Sequence, residues 1–189
     1  AKSVNAGNPA LSPTFTGGRV DLGGSMRLSA GPNPAGLLGQ ANIAVDRSAT
    51  ASRGHVYVMA SVDPAGADPL DARFIRSLDG GATWSAPVRI NDDPSTTNWQ
   101  WFATHSVAPS GRIDAIWNDT RNSVLPSVSQ LFYAYSWDGG GSWSANVPVS
   151  AAFDTSVGFP MQNKIGDYST IVSNETGADV IYAATLNGE

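Results

Sequence analysis

One octet occurs twice in this chain, as Ser77-Leu78-Asp79-Gly80-Gly81-Ala82-Thr83-Trp84 and as Ser136-Trp137-Asp138-Gly139-Gly140-Gly141-Ser142-Trp143. Both copies follow Ser-x-Asp-x-Gly-x-Ser/Thr-Trp, each is trailed by another serine, and Asp79 and Asp138 stand 59 positions apart. Self-similarity at a fixed spacing is the signature of repeated supersecondary units, so the repeat sets the architecture before any other consideration. Locally, each octet reads as a tight turn. An aspartate carboxylate accepts hydrogen bonds from backbone N–H groups a few residues on. Glycine reaches positive φ at little steric cost, and the closing tryptophan offers a large ring to pack over its own hairpin.

The flanking segments are short, aromatic or β-branched, and bounded by turn formers, as strands should be. The first unit reads as strands 41–46, 55–62, 72–78 and 87–91; the second as 101–107, 112–118, 131–137 and 147–150. A third begins with 168–173, turns at 174–177 and continues through 179–186. Four antiparallel strands with the octet joining the third to the fourth match a propeller blade. The expectation is an all-β chain, a partial β-propeller of four-stranded antiparallel blades. It holds two complete blades, 41–92 and 93–152, with incomplete flanking pieces. Residues 1–40 read as the remnant of a preceding blade or irregular cover, and 153–189 as an incomplete blade. Glu175 and Glu189 are the only glutamates and Lys2 and Lys164 the only lysines, so good helix formers are scarce and a long helix is not expected.

The octet is the Asp-box, or bacterial neuraminidase repeat, and the chain resembles the Asp-box β-propellers of the sialidase superfamily. The structural residues of that motif are Ser77, Asp79, Gly81, Thr83 and Trp84, and Ser136, Asp138, Gly140, Ser142 and Trp143. The stretch Gly166-Asp167-Tyr168 and the run from Val180 to Glu189 resemble the final blade of secreted bacterial exo-α-sialidase-like proteins. The resemblance implies a secreted or extracellular protein acting on sialoside-type glycans. No leader is visible at Ala1, which reads as a removed leader or a missing upstream part.

Composition excludes several classes. A net charge of −5 gives no indication of a nucleic-acid partner. No apolar stretch approaches the ~20 residues of a membrane span. The absence of cysteine removes disulfides, thiolate metal sites and cysteine nucleophiles together.

In an up-and-down blade, successive connections alternate between two rims. The octets therefore share a rim with turns such as 109–111 and 174–177, and the opposite rim receives 63–71, 91–101, 118–130 and 153–167. These loops are longer and richer in polar and aromatic residues, and function gathers on loops held by a scaffold. The resemblance also implies a substrate pocket away from the Asp-boxes. The candidates there are Asp92, Asp93, Asn98, Trp99, Trp101, Asp119, Arg121, Asn163, Lys164, Asp167 and Tyr168. Arg121 is suited to clamp a carboxylate in bidentate fashion, or else to pair with Asp119 or Asp93 and tie two loops together. Trp99 and Trp101 are candidates to stack on a sugar face, or to fill a blade core.

A sialidase-type site, as the resemblance implies, needs three arginines, a tyrosine nucleophile activated by glutamate, and an aspartate acid/base; the tyrosine is a known exception to the two-carboxylate scheme. Nine arginines are present, but Glu175 lies in an octet-side turn and Glu189 is the last residue. The Phe/Tyr-Arg-Ile-Pro segment that opens sialidase domains is absent, so the chain alone is not expected to be catalytically complete. Asp93, Asp119, Asp167 and Tyr168 remain as catalytic candidates, the aspartates through a two-carboxylate mechanism. His55 and His105, at or inside strands, read as packed residues rather than bases. No cofactor is expected, except that Asp63, Asp68 and Asp71 in one loop are candidate oxygen ligands for calcium. Two alternatives to a hydrolase segment stand beside it: a non-catalytic glycan- or protein-binding propeller module, and a homo-oligomer whose copies close the ring across open strand edges. Asn118-Asp119-Thr120 and Asn174-Glu175-Thr176 match glycosylation acceptors, with a loop and a turn as their plain reading.

Overall fold

The computed structural model describes residues 1–26, 30–157, 163–166 and 168–186, and no helix occurs among them. The strands are β1 (Gly24–Ser25), β2 (Asn42–Val45), β3 (Val56–Pro64), β4 (Asp71–Ser77), β5 (Val88–Arg89), β6 (Gln100–Val107), β7 (Ile113–Asp119), β8 (Val128–Ser136), β9 (Val147–Pro148), β10 (Phe153–Asp154), β11 (Thr170–Ser173) and β12 (Ala178–Ile181). All the strand pairs are antiparallel.

Two sheets repeat one order. In the first, β2, β3, β4 and β5 run as a meander; in the second, β6, β7, β8 and β9 do the same. Each sheet also takes a short strand from outside the expected unit. β1 pairs with the end of β3 (Gly24 with Pro64), and β10 pairs with the start of β8 (Phe153 with Ser129). The reason is visible in β9, which covers only Phe132 and Tyr133 and leaves the first residues of β8 open along the same edge. The expected strand 179–186 is shorter in the structure, ending at Ile181.

Side chains alternate across each strand, and the alternation divides the core. Tyr57, Met59, Ala72 and Phe74 of the first sheet face Ile113, Ala115, Trp117, Phe132 and Ala134 of the second in one buried cluster. The other face of the first sheet, Val58, Ala60, Val62 and Ile75, is covered by Leu22 and Trp84. The other face of the second, Ile116 and Leu131, takes Ile171 of the β11–β12 hairpin. The hairpin is anchored by Arg112, whose Nη2 donates to the carbonyls of Gly177 (2.8 Å) and Asn174 (3.3 Å). The three sheets thus pack face to face in chain order, with sheet two in the middle.

The octets make matching hydrogen-bond sets. Asp79 Oδ1 accepts from Ala82 N (2.9 Å) and Thr83 N (2.8 Å), and Asp138 Oδ1 accepts from Gly141 N and Ser142 N (both 2.9 Å). The hydroxyls of Thr83 and Ser142 donate to Asp79 Oδ2 (2.6 Å) and Asp138 Oδ2 (2.7 Å). The leading serines, Ser77 and Ser136, donate to Asp79 (2.7 Å) and Asp138 (2.8 Å) and accept from Gly81 N (2.7 Å) and Gly140 N (2.8 Å). The trailing serines close the hairpins, Ser85 N on Arg76 O (2.9 Å) and Ser144 N on Tyr135 O (2.8 Å). The tryptophans differ. Trp84 covers its own sheet, whereas Trp143 reaches across to meet Phe74 of the first sheet edge-on at 5.2 Å.

These bonds have a pH signature. Partial burial would raise the Asp138 carboxyl, but the backbone and hydroxyl donors of Ser142, with Ser136 and Gly141, hold it down at about 2. A depressed folded pKa means that the contribution is present above the ordinary carboxylate range and is lost as pH falls toward that value. Denaturation of Asp138→Asn should therefore show a smaller loss of stability than the parent chain between about pH 4 and about pH 2.

Candidate functional site

Strand register decides what meets on the rim opposite the octets. Val62 pairs with Asp71 there, and Gln100 with Asp119, so loop and strand-end carboxylates of both sheets face the same end. Asp71 is buried and gives Oδ2 to Arg73 (2.7 Å) and Oδ1 to Arg89 (2.6 Å) and Asn91 (3.0 Å). Asn91 also donates to Asp93 (2.8 Å) and to Gln100 (3.1 Å), and Gln100 donates to Asp119 (3.3 Å). A continuous polar network therefore links the two sheets.

Arg121 is the densest node. Its Nη1 donates to Asp92 (2.6 Å), its Nε and Nη2 reach Asp119 Oδ2 (3.0 and 2.8 Å), and Asp93 lies 3.6 Å from Nη2. Nη2 also meets the Asn146 side-chain oxygen at 3.1 Å, and the guanidinium sits 4.4 Å from the centre of the Phe132 ring. Asp119, in turn, accepts from the buried Trp117 Nε1 (2.8 Å) and from Arg121 N (2.8 Å). Asp92 and Asn146 exchange backbone-to-side-chain bonds of 2.7 and 3.0 Å. Burial works against the charge on Asp92, yet Asn146 N–H and Arg121 bring its carboxyl below the usual range.

Asp68, Asp71, Asp92, Asp93 and Asp119 outnumber Arg73, Arg89 and Arg121, so the network carries surplus negative charge. Asp68 bears the consequence. Burial, then the neighbouring Asp71 and Asp93 charges, outweigh the pull of Arg89 and of the Leu70 backbone N–H and push its carboxyl up to about 6. A carboxyl with a raised folded pKa favours folding when protonated, and that contribution is lost as pH rises through about 6. Asp68→Asn should therefore raise the thermal unfolding midpoint at about pH 7 and give no gain at about pH 4.

The structure brings together Asp92, Asp93, Asp119 and Arg121 of the expected candidates. Trp101 is fully enclosed and donates Nε1 to Ser129 (3.0 Å), so its ring is a wall of the core and has no open face. Trp99 is half-buried against the cluster of Leu38, Leu70, Trp101 and Phe153, with Asn98 half-buried beside it. Asn163 and the half-buried Lys164 belong to a segment tied to residues 33–35, through Ala35 N on Asn163 O (3.0 Å) and Ile165 N on Asn33 (2.9 Å). Tyr168 stands 80% exposed, and Asp167 lies outside the described residues. For the calcium candidates, among the described residues no group of three or more histidine, aspartate or glutamate side chains is placed to hold a metal ion. Asp71 is taken up by its arginines and Asn91 instead. His105 is buried edge-on to Phe74, and burial pulls its imidazole down to about 4, so it is a neutral core residue.

Arg73, Arg89, Asn91, Gln100 and Asn146 are the members that sequence reasoning missed. Arg89 and Asn91 lie on the short edge strand or just past it, and Asn146 follows an octet; nothing in their spacing marks them.

No protein-family model and no curated protein matches the chain. Among solved structures, it is similar to a Hadza microbial sialidase at 20% identity, over 65% of this chain and 29% of that one, with a TM-score of 0.46. It is also similar to a leech intramolecular trans-sialidase at 19% identity, over 58% of this chain and 14% of that one, with a TM-score of 0.43. The chain thus spans less than a third of either protein's length, and a likeness of that degree fixes neither its fold nor its activity.

Proposed function

We propose that this chain is a segment of a sialidase-like Asp-box β-propeller, secreted in its intact form, that recognises glycan and does not by itself cleave sialosides. Two octets with matching hydrogen-bond sets, each bracing a four-stranded meander, support the Asp-box reading and the blade units 41–92 and 93–152. The observation that carries the non-catalytic reading is the commitment of Arg121. Its guanidinium is engaged by Asp119, Asp92, Asn146 and Phe132, inside a network with more carboxylates than arginines. A substrate carboxylate would have to displace an internal one and enter a negative field, which is unfavourable on both counts. In this reading glycan contacts fall to the exposed side chains of the same rim, Tyr168 foremost.

A fluorogenic sialoside assay on the chain should show no turnover, and a glycan array should show binding that Tyr168→Ala weakens. Hydrolysis that disappears in Arg121→Ala would overturn the proposal. Further blades, from a longer polypeptide or from other copies, complete the ring in this reading; a dispersed monomer by light scattering would remove self-assembly as the route.

A further inference from the structure

On the rim that carries the octets, a cleft of ≈ 400 Å³ opens between the two large sheets. That volume lies within the range of small-molecule sites, which combine apolar surface with a few convergent polar groups. Its walls include Thr50, Ser52 and His55 of the β2–β3 turn, Arg76 from β4, Ser110 of the β6–β7 turn, and Trp137 of the second octet.

Trp137 occupies the variable position of the octet, where the turn makes no use of it, and its side chain is 62% exposed. The Arg112 guanidinium lies 5.5 Å from the ring centre and is itself held by Asp114 at 2.8 Å, which steadies the indole. Around the cleft, polar atoms lack partners. His55 Nδ1 and Ser110 Oγ are enclosed and make no hydrogen bond among the described residues. The fully buried Tyr57 hydroxyl, behind Gly139, makes none of ordinary geometry either; burial and then the Asp46 charge push it up to about 12, so it keeps its proton. Enclosed polar groups without partners are costly and call for an explanation.

The hydroxyl wall has a direction. Ser52 donates to Asp46 (2.6 Å), so it accepts from Thr50 (2.7 Å), and Thr50 from Ser48 (2.7 Å). Each hydroxyl proton is spent along the chain; Thr50 also accepts from Ser52 N (3.4 Å), so it is the remaining lone pair of Ser52 that is left to accept from a ligand. Opposite them, Arg76 is oriented by donating Nη1 to the carbonyls of Asp138 and Gly139, both at 3.1 Å. The charged side chains lining the cleft, Arg76 and Asp138, cancel, which favours a neutral ligand over an anion.

The required ligand has one apolar face, several hydroxyls that both donate and accept, and no charge. We propose that this cleft binds a neutral saccharide, a pyranose face lying on Trp137 and its hydroxyls exchanging hydrogen bonds with His55, Ser110 and Ser52. The site is separate from the opposite rim and does not depend on glycan binding there.

Calorimetric titration of the full chain with malto-, cello-, galacto- and manno-oligosaccharides tests this, with a uronate oligosaccharide and a proline-rich peptide run beside them. At least one neutral oligosaccharide should bind saturably. Trp137→Ala should weaken it about tenfold, Ser110→Ala should weaken it too, and Val124→Ala, at an exposed position outside the cleft, should leave it unchanged. Circular dichroism of both cleft variants checks that they fold. Absence of saturable binding by every neutral sugar, tighter binding of the uronate or the peptide, or binding that survives both cleft substitutions would overturn the proposal. Loss of array binding in Tyr168→Ala with no effect of Trp137→Ala would leave the opposite-rim reading standing alone.

Discussion

Gly140→Ala should unfold at a markedly lower urea midpoint than the parent chain, while the equivalent change in the first octet, Gly81→Ala, should have a modest effect. Both glycines hold positive φ, +82° and +92°, so a side chain strains the backbone of each by about 1–2 kcal/mol. Their surroundings differ. A Cβ on Gly140 would lie within 3 Å of three carbons of the Phe74 ring, whereas one on Gly81 would meet Trp84 at an ordinary 3.9 Å. Phe74 is almost wholly buried in the cluster that joins the two sheets and cannot retreat cheaply. Overpacking there adds about 1–3 kcal/mol, for a combined loss near 3 kcal/mol or more. Equal midpoints for the two variants would show that the second octet does not wedge against the first sheet.

The second large effect belongs to Asp119. Its carboxylate is buried and serves Trp117 Nε1, Arg121 N, the Arg121 guanidinium and Gln100. Asp119→Ala leaves a buried indole N–H and a largely buried guanidinium short of partners, and breaking such a pair from one side costs about 3–5 kcal/mol. Asp119→Asn keeps an acceptor for Trp117 and should lose less. Asp92→Ala removes a carboxylate that is 49% exposed, and the loss should stay below about 1 kcal/mol. Guanidinium chloride denaturation of the three variants should rank them in that order. An Asp92 effect as large as that of Asp119 would mean that the network is held from its solvent side.

Much of the scaffold was legible in the residues. Turn chemistry marked both octets, and the aromatic and β-branched runs beside them located β3, β4, β6, β7 and β8 to within a few residues. The sewing of β1 and β10 into neighbouring sheets was not legible, because two-residue strands carry no periodicity. The candidate site was legible in part. Asp92, Asp93, Asp119 and Arg121 stand on the expected rim and meet; the Arg121–Asp119 pair is local, two residues apart, but its union with Asp92 and Asp93, and the enclosure of Trp101, depend on how two sheets face each other. Trp84 and Trp143 make the same point within one motif: identical local pattern, one ring over its own sheet and the other against its neighbour.

The sequence by itself determined what neighbours along the chain can settle. It set the turn of each octet, through Asp, Ser and Gly acting within four residues, and the strand alternation that gives each sheet two buried faces. The tertiary structure alone decided which groups from different sheets share a space: Gly140 with Phe74, Arg121 with Asp92, and Trp137 with His55. Local hydrogen bonds are encoded by spacing, whereas contacts between sheets arise from packing, and these three pairs are separated by 66, 29 and 82 positions with no periodic mark to join them.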